Sequence, residues 1–195
     1  MAESLHPGLL LVLCGPSGVG KSTIARGLQE HYGVKYVVSA TTRPKLPGDD
    51  DGKTYDHISK QEFFRRLDDD KFLEYAQVHG NYYGTPKHPA LDELAGGKDV
   101  LLEIDVQGAL QVRYQYPEAL LVFILPPDEP TLLKRLEDRE RDEPEEITKR
   151  FRAARREIHM AKGSRAFDYM VINDELDRAV AEIVKIVRHK KSGGI

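Results

Sequence analysis

Leu9-Leu10-Leu11-Val12-Leu13-Cys14 runs straight into Gly15-Pro16-Ser17-Gly18-Val19-Gly20-Lys21-Ser22-Thr23, and this join decides the fold. The first segment is apolar at every position, as a parallel strand covered on both faces must be. The second fits G-x-x-x-x-G-K-[ST] at each fixed position from Gly15 to Ser22. Helix propensity resumes at Lys21, so a helix N-terminus with its orphan N–H groups faces whatever the loop surrounds. Gly15, Gly18 and Gly20 leave the backbone open to close approach by an anion. Lys21 offers a point charge to β- and γ-phosphates, and Ser22 a hydroxyl to Mg²⁺. A glycine-rich turn that merely joins a strand to a helix is the plain competing reading. Strand, loop and helix in this order favour a nucleoside triphosphate site.

The rest of the composition is compatible with a soluble enzyme. A chain of 195 residues can bury one substantial α/β core, and 40% hydrophobic with 31% charged residues is ordinary. The net charge of −3 gives no general attraction to nucleic acid or to an anionic membrane. Cys14 is the only cysteine, so no intrachain disulfide forms and a reducing compartment is expected. Met1 to Pro7 lacks the basic start and apolar middle of a secretory signal, and the expectation is a cytoplasmic protein.

Outward from the loop, a helix carries Ile24, Ala25 and Leu28 and stops at Gly33. Val34 to Ser39 reads as a second strand, closing a right-handed βαβ unit. Ser39 to Gly52, rich in proline, glycine and acid, reads as an exposed loop. Ser59-Lys60-Gln61-Glu62 is a capping box opening a helix with Phe63, Phe64 and Leu67. Phe72 to Val78 is a strand interrupted by Glu74, Gly80 to Thr85 a tight turn, and Pro86 to Leu94 a short helix closed by Gly96-Gly97. Asp99 to Ile104, Leu120 to Leu125 and Tyr169 to Ile172 read as core strands. Helices follow Asp128 and Pro144, the second with Ile147, Phe151, Ala154 and Ile158 in one stripe. The last helix turns Leu176, Val180, Ile183 and Val187 inward. The expected fold is therefore α/β and three-layered, with a five-stranded, mainly parallel sheet. Its parts are a core at 1–38, 97–125 and 166–195, a small mixed-sheet insertion at 39–96, and a helical lid at 126–165. Ligands of such sheets gather at the carboxyl ends of the strands.

Residues beyond the loop carry further chemistry. Arg43 suits bidentate contact with a phosphate monoester, against the plainer reading of a solvated loop charge. Arg135 and Arg139 lie four apart on one helix face, where like charges repel unless an anion lies between them. Glu74 and Asp105 are carboxylates in apolar strands and must find donors. Guanine has such donors at N1 and N2, with Ser39 and Thr85 placed to serve its O6. Water-mediated coordination of Mg²⁺ is the other role open to Asp105.

Taken together, Gly15 to Thr23, Ser39-Ala40-Thr41-Thr42-Arg43, Gly80-Asn81-Tyr82-Tyr83-Gly84-Thr85, Glu103-Ile104-Asp105-Val106-Gln107-Gly108 and Ile172-Asn173-Asp174 resemble the guanylate kinase family over roughly residues 8 to 189. The resemblance implies phosphorylation of GMP, and of dGMP, by Mg²⁺-ATP, giving GDP and ADP. It implies that Ser39, Glu74, Thr85 and Asp105 read guanine while Arg43, Tyr55 and Tyr83 hold the GMP phosphate. Gly15, Pro16, Ser17, Gly18, Val19, Gly20, Lys21, Ser22 and Thr23 would hold ATP phosphates. Arg135, Arg139 and Arg150 would close over the transferring group, and Asn173 would lie on the ATP base or ribose side. Ser22, with Glu103 or Asp105 through water, would serve Mg²⁺. No nucleic acid, membrane or obligate protein partner is implied.

One departure stands out. The family pattern Thr-Thr-Arg-x-Pro-Arg-x-Gly-Glu has a second arginine where this chain has Leu46, and a glutamate where it has Asp49. Either Lys45 reaches the phosphate or the phosphate is held more weakly. Another small-molecule kinase of the phosphate-loop class, and a phosphopeptide-binding guanylate-kinase-like module, are the alternatives at this point.

Overall fold

The computed structural model describes residues 8–46, 49, 53, 55–78, 80–138 and 143–193. The chain begins with β1 (Leu10–Cys14), passes through the loop into α1 (Lys21–Tyr32), and returns in β2 (Lys35–Tyr36). It then leaves the core through β3 (Ala40–Thr41), β4 (Asp56–His57), α2 (Lys60–Asp68), β5 (Phe72–Val78), β6 (Asn81–Pro86) and α3 (Lys87–Ala95). It re-enters by β7 (Val100–Ile104), α4 (Val106–Gln115) and β8 (Leu120–Leu125), continues in α5 (Glu129–Glu137) and α6 (Pro144–Ser164), and closes with β9 (Tyr169–Ile172) and α7 (Leu176–Lys191).

The core sheet has the order β2-β7-β1-β8-β9 and is parallel throughout. Every residue of β1 is buried, and the strand's period of two sorts its side chains between two layers. Leu11 and Leu13 pack with Ile24 and Leu28 of α1 and with Val180, Ile183 and Val187 of α7. Leu10, Val12 and Cys14 pack on the other face with Ala109 and Val112 of α4 and Ala161 of α6. Two-sided burial is why the strand reads as a continuous apolar run rather than an alternation. Gly33 caps α1 in the left-handed region (φ 77°), its N–H donating to the Gln29 carbonyl, as its sequence position predicts.

The second sheet, β4-β3-β6-β5, departs from expectation at two places. Ala40 and Thr41, read as loop, are fully buried and pair antiparallel with Gly84 and Tyr83. Gly80 to Thr85, read as a turn, is mostly β6, the hairpin partner of β5 from Val78↔Asn81 onward. Both errors have one cause. A short strand among turn-forming residues is stabilised by its cross-strand partners: β3 finds β6 far along the chain, and β6 is held between β3 and its hairpin neighbour β5. Gly84 belongs in a strand here because Phe72 lies over it; a Cβ would meet that ring at 2.8 Å. The strand expected over Val34 to Ser39 is shorter, since the chain turns out of the core sheet after Val37, whose N–H still donates to Leu101.

Helix α4 was not expected. Its start carries a signal nonetheless, for Asp105 caps it, accepting from the Gly108 N–H at 2.9 Å. At α2 the cap is as read, with Ser59 accepting from Glu62 N–H at 3.1 Å, but Glu62 turns to Arg65 and Arg66 instead of back to Ser59. Phe63 is buried, whereas Phe64 is 41% exposed and Leu176 38% exposed, so neither of these two is core. Among the described residues no helix is long and apolar enough to cross a membrane.

Candidate active site

At the carboxyl end of β1 the loop adopts conformations that favour glycine, beginning at Gly15 (φ 151°), where an added Cβ would lie 2.7 Å from the Ile124 carbonyl. Gly18 (φ 84°) and Gly20 (φ 94°) are left-handed, and added Cβ atoms would lie 2.8 Å from Leu136 and 2.5 Å from the Asn173 amide. These glycines therefore answer to neighbouring side chains as well as to an incoming anion. The Asn173 amide donates to the Val19 carbonyl at 2.8 Å, and Arg135 donates to the Asn173 carbonyl at 3.0 Å. The loop is thus clamped from β9 and α5. Asn173 is buried and spends this donor on the loop.

Gly20 caps α1 without a side-chain acceptor, and the first turn holds no acid, which leaves the helix N-terminus electropositive. Lys21 folds back along the loop, donating to the Gly15 carbonyl at 2.6 Å and that of Pro16 at 3.1 Å. The Ser22 hydroxyl donates to Glu103 at 2.7 Å. A hydroxyl and a carboxylate beside a phosphate-shaped loop are the hard oxygen ligands that suit Mg²⁺. Thr23 is exposed on the same turn.

A second cluster lies where β7, β5, β6 and the end of β2 meet. Ser39, Glu74 and Thr85 are buried. Glu74 accepts from the Thr85 N–H at 3.1 Å and its hydroxyl at 2.5 Å, and the Thr85 hydroxyl is 3.3 Å from that of Ser39. The other Glu74 oxygen lies against the first turn of α4, where a Cβ on Gly108 would meet it at 2.2 Å. Burial pushes the Glu74 carboxyl up to about 7, against the pull of the Thr85 hydrogen bonds and helped by the charge of Asp105. Asp105 is likewise raised, chiefly by burial. It is engaged as the α4 cap, with Gln107 donating to its second oxygen at 3.3 Å.

A third cluster holds Arg43. Its guanidinium pairs with Asp49 at 2.9 Å and lies 5.4 Å from the ring centre of Tyr55. Tyr55 in turn meets Tyr83 edge to face at 5.6 Å. Asp49 also accepts from the Leu46 N–H at 2.8 Å, while the Leu46 side chain is 43% exposed. Glu103 lies within electrostatic reach of Tyr55 as well as bonding Ser22, so it stands between the phosphate loop and this cluster.

The lid candidates divide. Arg135 reaches the phosphate-loop side, and its second terminal nitrogen is buried without a hydrogen-bond partner among the described residues. Arg150 lies on α6, 3.8 Å from Glu146. Arg139 falls outside the described residues. Asp49, His57 and Gly108 escape a sequence reading as site residues: Gly108 answers to Glu74 from a distant strand, while Asp49 and His57 meet only through the way the chain folds around Arg43. Asp49 alone carried a signal, through its place in the loop after Arg43.

The chain is similar to known proteins over nearly its whole length. Residues 8–190 match the family model described as guanylate kinase. The guanylate kinase of Gloeobacter violaceus is 50% identical over 184 residues, covering 93% of this chain and 88% of that protein. That of Symbiobacterium thermophilum is 46% identical over 95% of this chain and 87% of its own length. A crystal structure of guanylate kinase from Anaplasma phagocytophilum aligns with a TM-score of 0.79 at 31% identity, over 94% of this chain and 86% of that one. With matches of this length and identity joined to the phosphate loop and the buried Glu74 cluster, the chain belongs to the guanylate kinase family.

Proposed function

We propose that this chain transfers the γ-phosphoryl group of ATP to GMP, with dGMP as a further acceptor, and that Mg²⁺ accompanies ATP. The observation that carries the guanine assignment is the buried Glu74, with the Ser39 and Thr85 hydroxyls beside it. An acceptor-only carboxylate matches the N1–H and N2–H donors of guanine, and adenine presents none there.

Phosphoryl transfer through a loose transition state asks for alignment and charge stabilisation more than for a base. The backbone of Gly15 to Thr23 surrounds the donor phosphates, Lys21 leaves the Gly15 and Pro16 carbonyls to meet them, and Arg135, Arg139 and Arg150 approach from the lid. Arg43, Tyr55 and Tyr83 hold the acceptor phosphate, which is already an anion. Asn173 keeps the loop in shape through Val19. Ser22, backed by Glu103, would hold Mg²⁺, which neutralises charge on the β- and γ-oxygens when bound. Closure of 126–165 and 39–96 over both substrates excludes water as a rival nucleophile.

A coupled ADP-release assay over GMP, dGMP, AMP, UMP and CMP tests this. GMP is expected to exceed AMP in kcat/KM by about 10³-fold or more, since a site built to pair donors rejects an analogue lacking them. Equal use of AMP overturns the assignment. Leu46→Arg in the same assay is expected to lower the GMP KM about fivefold, the value of roughly one charge-assisted contact at a partly solvated site. The ATP KM should stay constant; an unchanged GMP KM would show that the acceptor phosphate does not reach position 46.

A further inference from the structure

His57 lies beside the acceptor-phosphate cluster without having been assigned to it. It sits on β4, paired with Thr41 of β3. Its side chain is only 14% exposed, and that of Asp49 10%. Nδ1 is 2.9 Å from the Arg43 carbonyl. A carbonyl only accepts, so Nδ1 carries a proton. Nε2 is buried, has no hydrogen-bond partner among the described residues, and stands 3.6 Å from the Asp49 carboxylate. With Nδ1 protonated, a neutral ring aims the Nε2 lone pair at that carboxylate. A charged ring presents an N–H to it instead. Charged or titratable groups that face this pair include the Arg43 guanidinium on Asp49 and the Tyr55 ring, 6.1 Å from that of His57, with Tyr83 behind it.

Arg43 is thus a permanent cationic neighbour of Asp49 and His57 a conditional one. The Arg43 guanidinium and the Leu46 N–H outweigh the effect of burial and hold its carboxyl below the usual range. A phosphate dianion that takes Arg43 competes with Asp49 for the guanidinium and brings a second anion close to this largely covered carboxylate. We propose that His57 is a positioning residue of the acceptor-phosphate site, whose imidazolium takes over Asp49 when GMP draws Arg43 away. GMP binding is then coupled to proton uptake at His57. The inference rests on the assignment of Arg43 to the acceptor phosphate.

Two measurements test it. In the wild-type protein the His57 Hε1 resonance, assigned through backbone connectivity, is followed from pH 5.5 to 8.5 with and without saturating GMP. Its midpoint is expected to rise by about one pH unit on binding, a tenfold coupling. In kinetics, His57→Gln is expected to raise the GMP KM relative to wild type about tenfold at pH 6, shrinking to under about twofold at pH 8.5. Taking the ratio at each pH cancels the titration of GMP's own phosphate. The effect should fall on the GMP KM rather than on kcat or the ATP KM. A midpoint unmoved by GMP, or a ratio flat with pH, overturns the proposal. Arg43→Ala separates the two readings. If it leaves the GMP KM unchanged, the phosphate assignment itself fails; if it raises KM while the His57→Gln ratio stays flat, only the role of His57 fails.

Discussion

Glu74→Gln is expected to lose about a thousandfold in kcat/KM for GMP while making the unliganded protein more stable above neutral pH. The loss follows from hydrogen-bond chemistry. Two charge-assisted bonds to N1–H and N2–H, at about 2 kcal/mol each, amount to about 4 kcal/mol. The amide would also turn a donor toward donors. The gain follows from linkage. Burial raises the folded-state pKa of Glu74 from 4.5 to about 7. Below pH 4.5 the carboxyl is protonated in both folded and unfolded chains, and burial of its charge costs nothing. As pH rises from 4.5 toward 7 the unfolded chain ionises first, so folding stability falls. Above 7 the loss is constant, on the order of 3 kcal/mol. Glutamine keeps an oxygen for the Thr85 donors and never ionises. The difference in stability between variant and wild type should therefore be near zero at pH 4.5 and grow to about 1–3 kcal/mol at pH 8. Urea unfolding at a series of pH values without nucleotide checks this; a difference independent of pH would remove the buried-charge account.

Lys21→Ala is expected to lower kcat by at least about 10³-fold with little change in folding stability. A single preorganised donor aimed at developing charge contributes about 10²–10³ in rate, and Lys21 adds a full charge to that geometry. In the unliganded protein its ammonium only bridges the Gly15 and Pro16 carbonyls at the rim of the loop, and the side chain is half-buried. Removing it should shift the unfolding free energy by less than about 1 kcal/mol. The GMP KM should change little, since the residues proposed to hold the acceptor lie on other elements. Steady-state kinetics beside a thermal melt decides this. A variant that keeps more than about a tenth of wild-type kcat takes Lys21 out of the chemistry.

The two halves of the site were unequally legible. The donor half is local: strand, loop and helix follow one another from Leu10 to Tyr32, and Gly20-Lys21-Ser22 fall together at the strand's end. Buried parallel strands announce themselves as apolar runs, so β1 and β8 were legible nearly to the residue, and the edge strand β9 was too, although of its four residues only Val171 is buried. On the acceptor side, Glu74 stood out as a charge in an apolar strand, but its surroundings did not. Ala40-Thr41 and Asn81–Pro86 look like loop and turn until paired with each other, and the partner of Arg43 is settled by how the loop folds back on itself.

By itself the sequence determined the three-layer core and the strand, glycine-rich loop and helix at its head, because each rests on periodicity or on spacing within a few residues. Only the tertiary structure decided that Gly20 must make room for Asn173, that Gly108 must make room for Glu74, and that His57 faces Asp49. The physical reason is that close approach, burial and shared charge are properties of side chains brought together from distant positions, and no local pattern encodes which of them will meet.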